Sequence, residues 1–230
     1  MTPLVLLSGM MCDARLFAPQ IAMLGQRRAI HVAPMTNHET VADMAAEILA
    51  NAPPIFALAG VSMGGIVAME VVAQAPDRVE RIALMDTNPK AERPEVAARR
   101  KPQMEAVKAG QLQEIMRDEM KPNYLVESPR KPEILELCME MAIANGPDVF
   151  LRQSIALRDR PDQQNTLRAY GGPALVLCGR HDALCPVSHH ELMYDLLANS
   201  YLKIIENAGH LPTLEQPEIT TAALARWLED

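Results

Sequence analysis

Residues 55–75, IFALAGVSMGGIVAMEVVAQA, constrain the chain more than any other stretch. A short apolar run over 55–61 leads into Gly60-Val61-Ser62-Met63-Gly64. Apolar residues then recur at helical spacing: Ile66, Val67, Met69, Val71 and Val72. This pattern predicts a buried strand that turns sharply into a helix. The glycines beside Ser62 permit a strained turn and a close approach of helix to strand. A serine at that corner stands at the positive end of a helix, where its hydroxyl can attack a carbonyl. With 11 glycines in 230 residues, G-x-S-x-G arises by chance in about one such chain in a hundred. Its position at a strand-to-helix junction favours a nucleophile over packing glycines beside an ordinary serine. A nucleophile of this kind also needs a base and an acid from elsewhere in the chain.

The length predicts one globular domain with a sizeable core. A net charge of −7 argues against a nucleic-acid or anionic-membrane surface, because both demand clustered positive charge. The four cysteines, Cys12, Cys138, Cys178 and Cys185, follow no metal spacing, and no paired-histidine motif accompanies them. The apolar run over 4–7 is too short for a secretory leader and lacks its basic start. The expectation is therefore a cytoplasmic protein with reduced, mostly buried thiols, no membrane span and no metal or organic cofactor.

Taken in order, residues 3–7 (PLVLL) read as a buried strand that delivers the loop Ser8-Gly9-Met10-Met11-Cys12-Asp13. A short helix is expected over 17–24, a strand over 29–32 and an amphipathic helix over 40–51, stopped by Pro53-Pro54. After the Ser62 helix, residues 79–85 (VERIALM) form a strand ending at Asp86-Thr87-Asn88-Pro89. Alternating strands and helices imply right-handed crossovers and a parallel sheet. Residues 90–172 then contain no convincing strand. Helices are expected over 94–109, with a kink at Pro102, and over 112–120, 132–145 and 147–160. They read as a helical cap (90–172) inserted into a core made of 1–89 and 173–230. The sheet pattern resumes with strands over 174–178 and 201–205 and helices over 187–198 and 218–228.

Ser62, Asp182 and His210 each follow the end of a predicted parallel strand, and such ends lie on one side of an open α/β sheet. A serine hydroxyl needs an imidazole to take its proton, and the imidazole needs a carboxylate to fix its tautomer. Asp86 also follows a strand end and rivals Asp182. The setting Gly179-x-x-Asp182-x-x-x-Pro186 favours Asp182, with Gly179 free to take an unusual backbone angle. Asp86 is left as an acceptor for backbone N–H groups at the cap entrance. His189 and His190, on a helix face, read as solvated, and His31, His38 and His181 belong to no constellation.

These motifs resemble the α/β-hydrolase fold over essentially the whole chain: the Gly60–Gly64 elbow, the Gly179–Pro186 loop and Asn207-Ala208-Gly209-His210-Leu211-Pro212, in the order Ser, Asp, His. The resemblance implies six mostly parallel strands, without the family's N-terminal antiparallel hairpin. It also implies a serine hydrolase that cleaves a carboxylic ester of a small acyl substrate through an acyl-enzyme. Ser62 would attack, His210 would shuttle the proton and Asp182 would orient His210. The amides of Met63 and of Met10 or Met11 would hold the oxyanion, since Ser8-Gly9-Met10 stands where many members carry His-Gly. Relatives with the same triad cleave thioesters or carbon–carbon bonds, and a non-catalytic receptor on this fold is a third reading.

Overall fold

The computed structural model of the chain describes residues 1–229. Six strands, β1 (Leu4–Leu7), β2 (Ile30–Val32), β3 (Phe56–Val61), β4 (Val79–Met85), β5 (Ala174–Gly179) and β6 (Ser200–Ile205), form one sheet in the order β2-β1-β3-β4-β5-β6. Every neighbouring pair runs parallel, and no antiparallel hairpin occurs among the described residues. The helical segments are α1 (Ala18–Leu24), α2 (Val41–Asn51), α3 (Met63–Gln74), α4 (Pro94–Lys108), α5 (Leu112–Glu114), α6 (Lys131–Arg158), α7 (Gln164–Ala169), α8 (Val187–Leu196), α9 (Pro212–Glu215) and α10 (Pro217–Glu229).

The central strands are apolar on both faces because both faces are covered. Val5, Leu7, Leu58, Ile82, Leu84 and Val176 join one cluster with the buried faces of α2 and α3. Their alternates Leu4, Leu6, Ala57, Ala59, Ala83, Met85, Leu175 and Leu177 join a second, which Leu224, Trp227 and Leu228 of α10 close from below. Each fully buried leucine in these rows contributes about 2 kcal/mol of transfer free energy. Helix α2 starts where Thr40 accepts the Asp43 N–H at 3.0 Å, a side-chain N-cap.

The strand order places the topological switch between β1 and β3, so the loops after those two strands part company at the carboxyl edge of the sheet. That edge carries Met10, Ser62, Asp86, Asp182 and His210.

Between β4 and β5 the described chain is helical where it is regular. Gly146, at φ 79° and ψ 174°, breaks α6 into two rods, and Pro147 begins the second. This is where the expected helices over 132–145 and 147–160 meet. The helix expected over 112–120 is one short α-turn, α5, continued by a wider turn at Ile115–Met120. Helix α7 was not anticipated. Glu92, near the start of this segment and with its side chain largely covered, pairs with Arg100 at 2.6 Å and Arg160 at 3.0 Å, which ties the two ends of the segment together.

Candidate active site

Ser62 sits at φ 55° and ψ −116°, a conformation L-residues rarely adopt. Holding it there costs about 1–3 kcal/mol, offset by the surrounding structure. The Ser62 N–H donates to the Met85 carbonyl at 2.9 Å. Its own carbonyl accepts from Gly65 N–H, Ile66 N–H and the Thr87 hydroxyl, the last at 2.7 Å. Gly64 is needed for approach: a Cβ there would stand 2.1 Å from the Leu7 carbonyl oxygen, so any side chain would push α3 off β1. The strain therefore falls on the serine, and the neighbouring glycine makes room for it.

His210, buried, follows β6. Its Nε2 lies 2.9 Å from Ser62 Oγ and its Nδ1 lies 2.7 Å from Asp182 Oδ2. The loop carrying it is fixed from two sides. His210 N–H donates to the Tyr124 carbonyl at 2.6 Å, and the Tyr124 ring lies 5.5 Å from the imidazole. The Glu215 carboxylate accepts from Gly209 N–H at 2.9 Å, Leu211 N–H at 3.1 Å and Val126 N–H at 2.9 Å. Burial raises the Glu215 pKa, and these three N–H groups oppose the rise. Gly179 serves by close approach: a Cβ on it would meet the Gly209 carbonyl oxygen at 1.9 Å. It is not among the residues of positive φ, so the expected unusual backbone angle is not found.

Asp182 is the carboxylate that touches His210. Its Oδ1 accepts from Leu184 N–H at 2.8 Å and Cys185 N–H at 3.0 Å, which leaves Oδ2 for the imidazole. Burial alone would raise its pKa, but His210 and the two N–H groups hold it below the usual carboxylate range. Asp86, at φ 47° and fully buried, ends β4 and accepts from Gly179 N–H at 2.9 Å. Its partner is therefore the end of β5 and not the entrance to the helical segment. Because β4 lies beside β3 and β5 one strand further out, Asp86 is nearer the Ser62 strand. The longer loop after β5 nevertheless carries Asp182 across to His210.

His190 corrects an expectation. It is fully buried, not solvated, and its Nε2 accepts the Thr87 N–H at 3.1 Å. Thr87 in turn holds the Ser62 carbonyl, so His190 supports the elbow from behind.

In the loop after β1, Met11 also has a positive φ, 57°, and its N–H donates to Gln153 Oε1 at 2.9 Å. Gln153 Nε2 donates to the Met35 carbonyl at 3.0 Å. Met11 N–H is therefore committed, whereas Met10 N–H and Met63 N–H meet no acceptor among the described residues. Gln153, Glu215, Thr87 and Tyr124 escaped the sequence reading. Only Glu215 carried a signal there, as an acidic residue at the start of the helical segment after His210.

Asp182, Cys185 and His210 bring donor atoms within 4.8 Å of one another. The 2.7 Å contact between Nδ1 and Oδ2 is a hydrogen bond. Two ligands of a zinc-sized ion stand farther apart, at about 3.2 Å, given bonds near 2 Å to each. The arrangement fits a proton relay better than an ion. All four cysteines are unpaired. No helix among the described residues is long and apolar enough to cross a membrane.

Residues 4–223 match the family model described as the alpha/beta hydrolase family. The chain is similar to the pimeloyl-[acyl-carrier protein] methyl ester esterase of Chromobacterium violaceum, 25% identical over 98% of this chain and 93% of that protein. It is 27% identical to the Pectobacterium carotovorum protein of the same name, over 96% of this chain and 91% of that one. Among solved structures, a thermophilic esterase from Thermogutta terrifontis superposes with a TM-score of 0.90 at 28% identity, over 100% of this chain and 90% of the other. The enol-lactonase of Burkholderia xenovorans, at 19% identity and a TM-score of 0.87 over 100% of this chain and 92% of its own, shares the fold.

Proposed function

The chain belongs to the alpha/beta hydrolase family, and from that premise we propose that it hydrolyses a carboxylic ester of a small acyl substrate through a covalent acyl-enzyme. It is a carboxylic ester hydrolase. The observation that carries the mechanism is the continuous contact from Asp182 Oδ2 to His210 Nδ1, at 2.7 Å, and from His210 Nε2 to Ser62 Oγ, at 2.9 Å. His210 takes the Ser62 proton as Oγ attacks the ester carbonyl, and Asp182 stabilises the imidazolium that forms. The two uncommitted amides, Met10 and Met63, receive the oxyanion, and the Met63 amide adds the positive end of α3. Collapse expels the alcohol, protonated by His210. Water activated by the same imidazole then attacks the acyl-enzyme and releases the acid.

The helical segment 90–172 acts as a cap that selects the acyl group. Two contacts support this role: Tyr124 against His210, and Gln153 against the loop that holds Met10 and Met11. The four unpaired thiols suit a reducing, cytoplasmic compartment.

The test is labelling by a fluorophosphonate together with turnover of a panel of acyl esters. Ser62→Ala should abolish labelling and lower kcat by about 10⁴–10⁶-fold in a protein with unchanged circular dichroism. A folded Ser62→Ala protein with wild-type turnover would overturn the reading.

A further inference from the structure

Asp86 is a second buried carboxyl beside the one that holds His210, and its surroundings leave one of its oxygens unexplained. Oδ1 accepts from Gly179 N–H at 2.9 Å. Oδ2 is buried, and no N–H or O–H among the described residues reaches it. Asp182 is the neighbouring acid: its N–H donates to the Gly179 carbonyl at 3.4 Å, and Gly179 N–H is the group that holds Asp86 Oδ1, which brings the two carboxyls within reach of a hydrogen bond. On Asp182, Oδ1 accepts from Leu184 and Cys185 N–H and Oδ2 from His210. Two carboxylates cannot hydrogen-bond to each other unless one carries a proton. Asp182 already has three donors favouring its charge. Asp86 has one and is fully buried.

We propose that Asp86 is a neutral carboxylic acid whose proton is donated to Asp182, making it a positioning residue for the carboxylate that orients His210. The proposal rests on the reading of Ser62, His210 and Asp182 as the catalytic relay. Burial first, and the Asp182 charge second, raise Asp86 well above the usual carboxylate range.

The other groups around it offer no competing cation. Glu215, from α9, adds negative charge. Cys178 of β5 and Cys185 of the following loop are thiols pushed upward chiefly by burial. His190 of α8 uses Nε2 to accept from Thr87 N–H and is therefore neutral. His210 already uses Nδ1 to donate to Asp182 Oδ2, at 2.7 Å. The backbone agrees with a fixed role, since Asp86 is one of only three non-glycine residues at positive φ among those described, with Met11 and Ser62.

Asp86→Asn separates the possibilities. Asparagine tolerates the left-handed backbone, can accept from Gly179 N–H and can donate its amide hydrogen to Asp182. The direct readout is the infrared carbonyl stretch of a protonated carboxyl group, recorded on the whole protein in heavy water at neutral pH. The wild type should show the band and Asp86→Asn should lack it. Absence of the band in the wild type, or its survival in Asp86→Asn, would overturn the proposal.

The second readout is the acid limb of kcat/KM on an activated ester. A neutral-for-neutral exchange should leave the limb in place and keep kcat within about fivefold, whereas Asp86→Ala should lower kcat by about 10–100-fold with little change in KM. If Asp86 were instead ionised, Asp86→Asn would remove a negative charge near His210, and the limb would fall by about one pH unit. That result would also overturn the proposal. If Asp86→Ala does not fold, the infrared band and the Asp86→Asn profile still decide. A protein that shows the band but hydrolyses no ester would count against the proposed function and not against the proton on Asp86.

Discussion

Acidification from about pH 7 to about pH 4.5 should weaken the fold through His190. The ring is fully buried, Nε2 accepts the Thr87 N–H at 3.1 Å, and Nδ1 lies 3.3 Å from the Pro186 carbonyl. The hydrogen therefore sits on Nδ1. A second proton, on Nε2, would set N–H against N–H inside apolar packing. Burial accordingly lowers the imidazole from 6.5 to about 4. Between those two values the unfolded chain binds a proton that the folded chain does not, so stability falls as the pH falls. A span of about 2.5 pH units is worth at most about 3.4 kcal/mol, and about 2.5 kcal/mol of it is felt by about pH 4.5. That is a large part of the ~5–15 kcal/mol that holds a typical domain together. Asp86 and Glu215 work in the opposite direction: their raised folded pKa values add stability as the pH falls towards the unfolded carboxylate range. The comparison with His190→Gln isolates the histidine, because a glutamine Oε1 can accept the same N–H but does not titrate. Urea unfolding should find the wild type more stable by about 1–2 kcal/mol at about pH 7. That gap should close or reverse by about pH 4.5. Two stability curves running parallel across this range would refute the neutral, buried His190 on which the reasoning depends.

Two further outcomes test the shell around the site. Gly179→Ala places a methyl group where the Gly209 carbonyl oxygen would be 1.9 Å away. The His210 loop must then shift, and kcat on an activated ester should fall by about 10–100-fold; unchanged kcat and melting temperature would show the loop has room to spare. Gln153→Leu leaves the Met11 N–H and the Met35 carbonyl without their partner. It should cost about 1–3 kcal/mol in urea unfolding, with kcat falling more than KM changes. A variant as stable and active as the wild type would show that the loop after β1 holds its shape unaided.

The sheet was legible, and so was the edge that carries the candidate site, because both depend on short-range patterns. Continuous apolar runs over 3–7, 55–61 and 174–178 announce strands covered on both faces, and the structure buries the strands it forms there, β1, β3 and β5. Punctuation at 62, 182 and 210 could be read for the same reason: parallel strands must all release their loops at one edge. The errors lie where the deciding contact is distant in sequence. His189 and His190 are adjacent on α8, and a rotation of about 100° per residue turns one into the core while its neighbour stays half-buried. No local spacing tells which. Gln153 and Tyr124 belong to a helical segment whose composition carries no trace of the loops they hold, 142 and 86 positions away.

Glycine shows the same limit from the other side. Gly64 and Gly179 mark where two backbones must come within contact, against Leu7 and Gly209, yet neither takes the left-handed angle that a glycine invites one to expect. Around the candidate site the left-handed positions went instead to Met11, Ser62 and Asp86, in the loops that follow β1, β3 and β4. Strain in such residues persists only where the surroundings over-determine it. Here the surroundings are a side-chain amide on Met11, a threonine hydroxyl on the Ser62 carbonyl, and the Gly179 N–H on the Asp86 side chain. Close packing between distant segments supplies each of these contacts. A pattern of residue types can therefore locate the corner where Ser62 stands, while the contacts that hold it there and bring His210 to its hydroxyl are ones the sequence does not order.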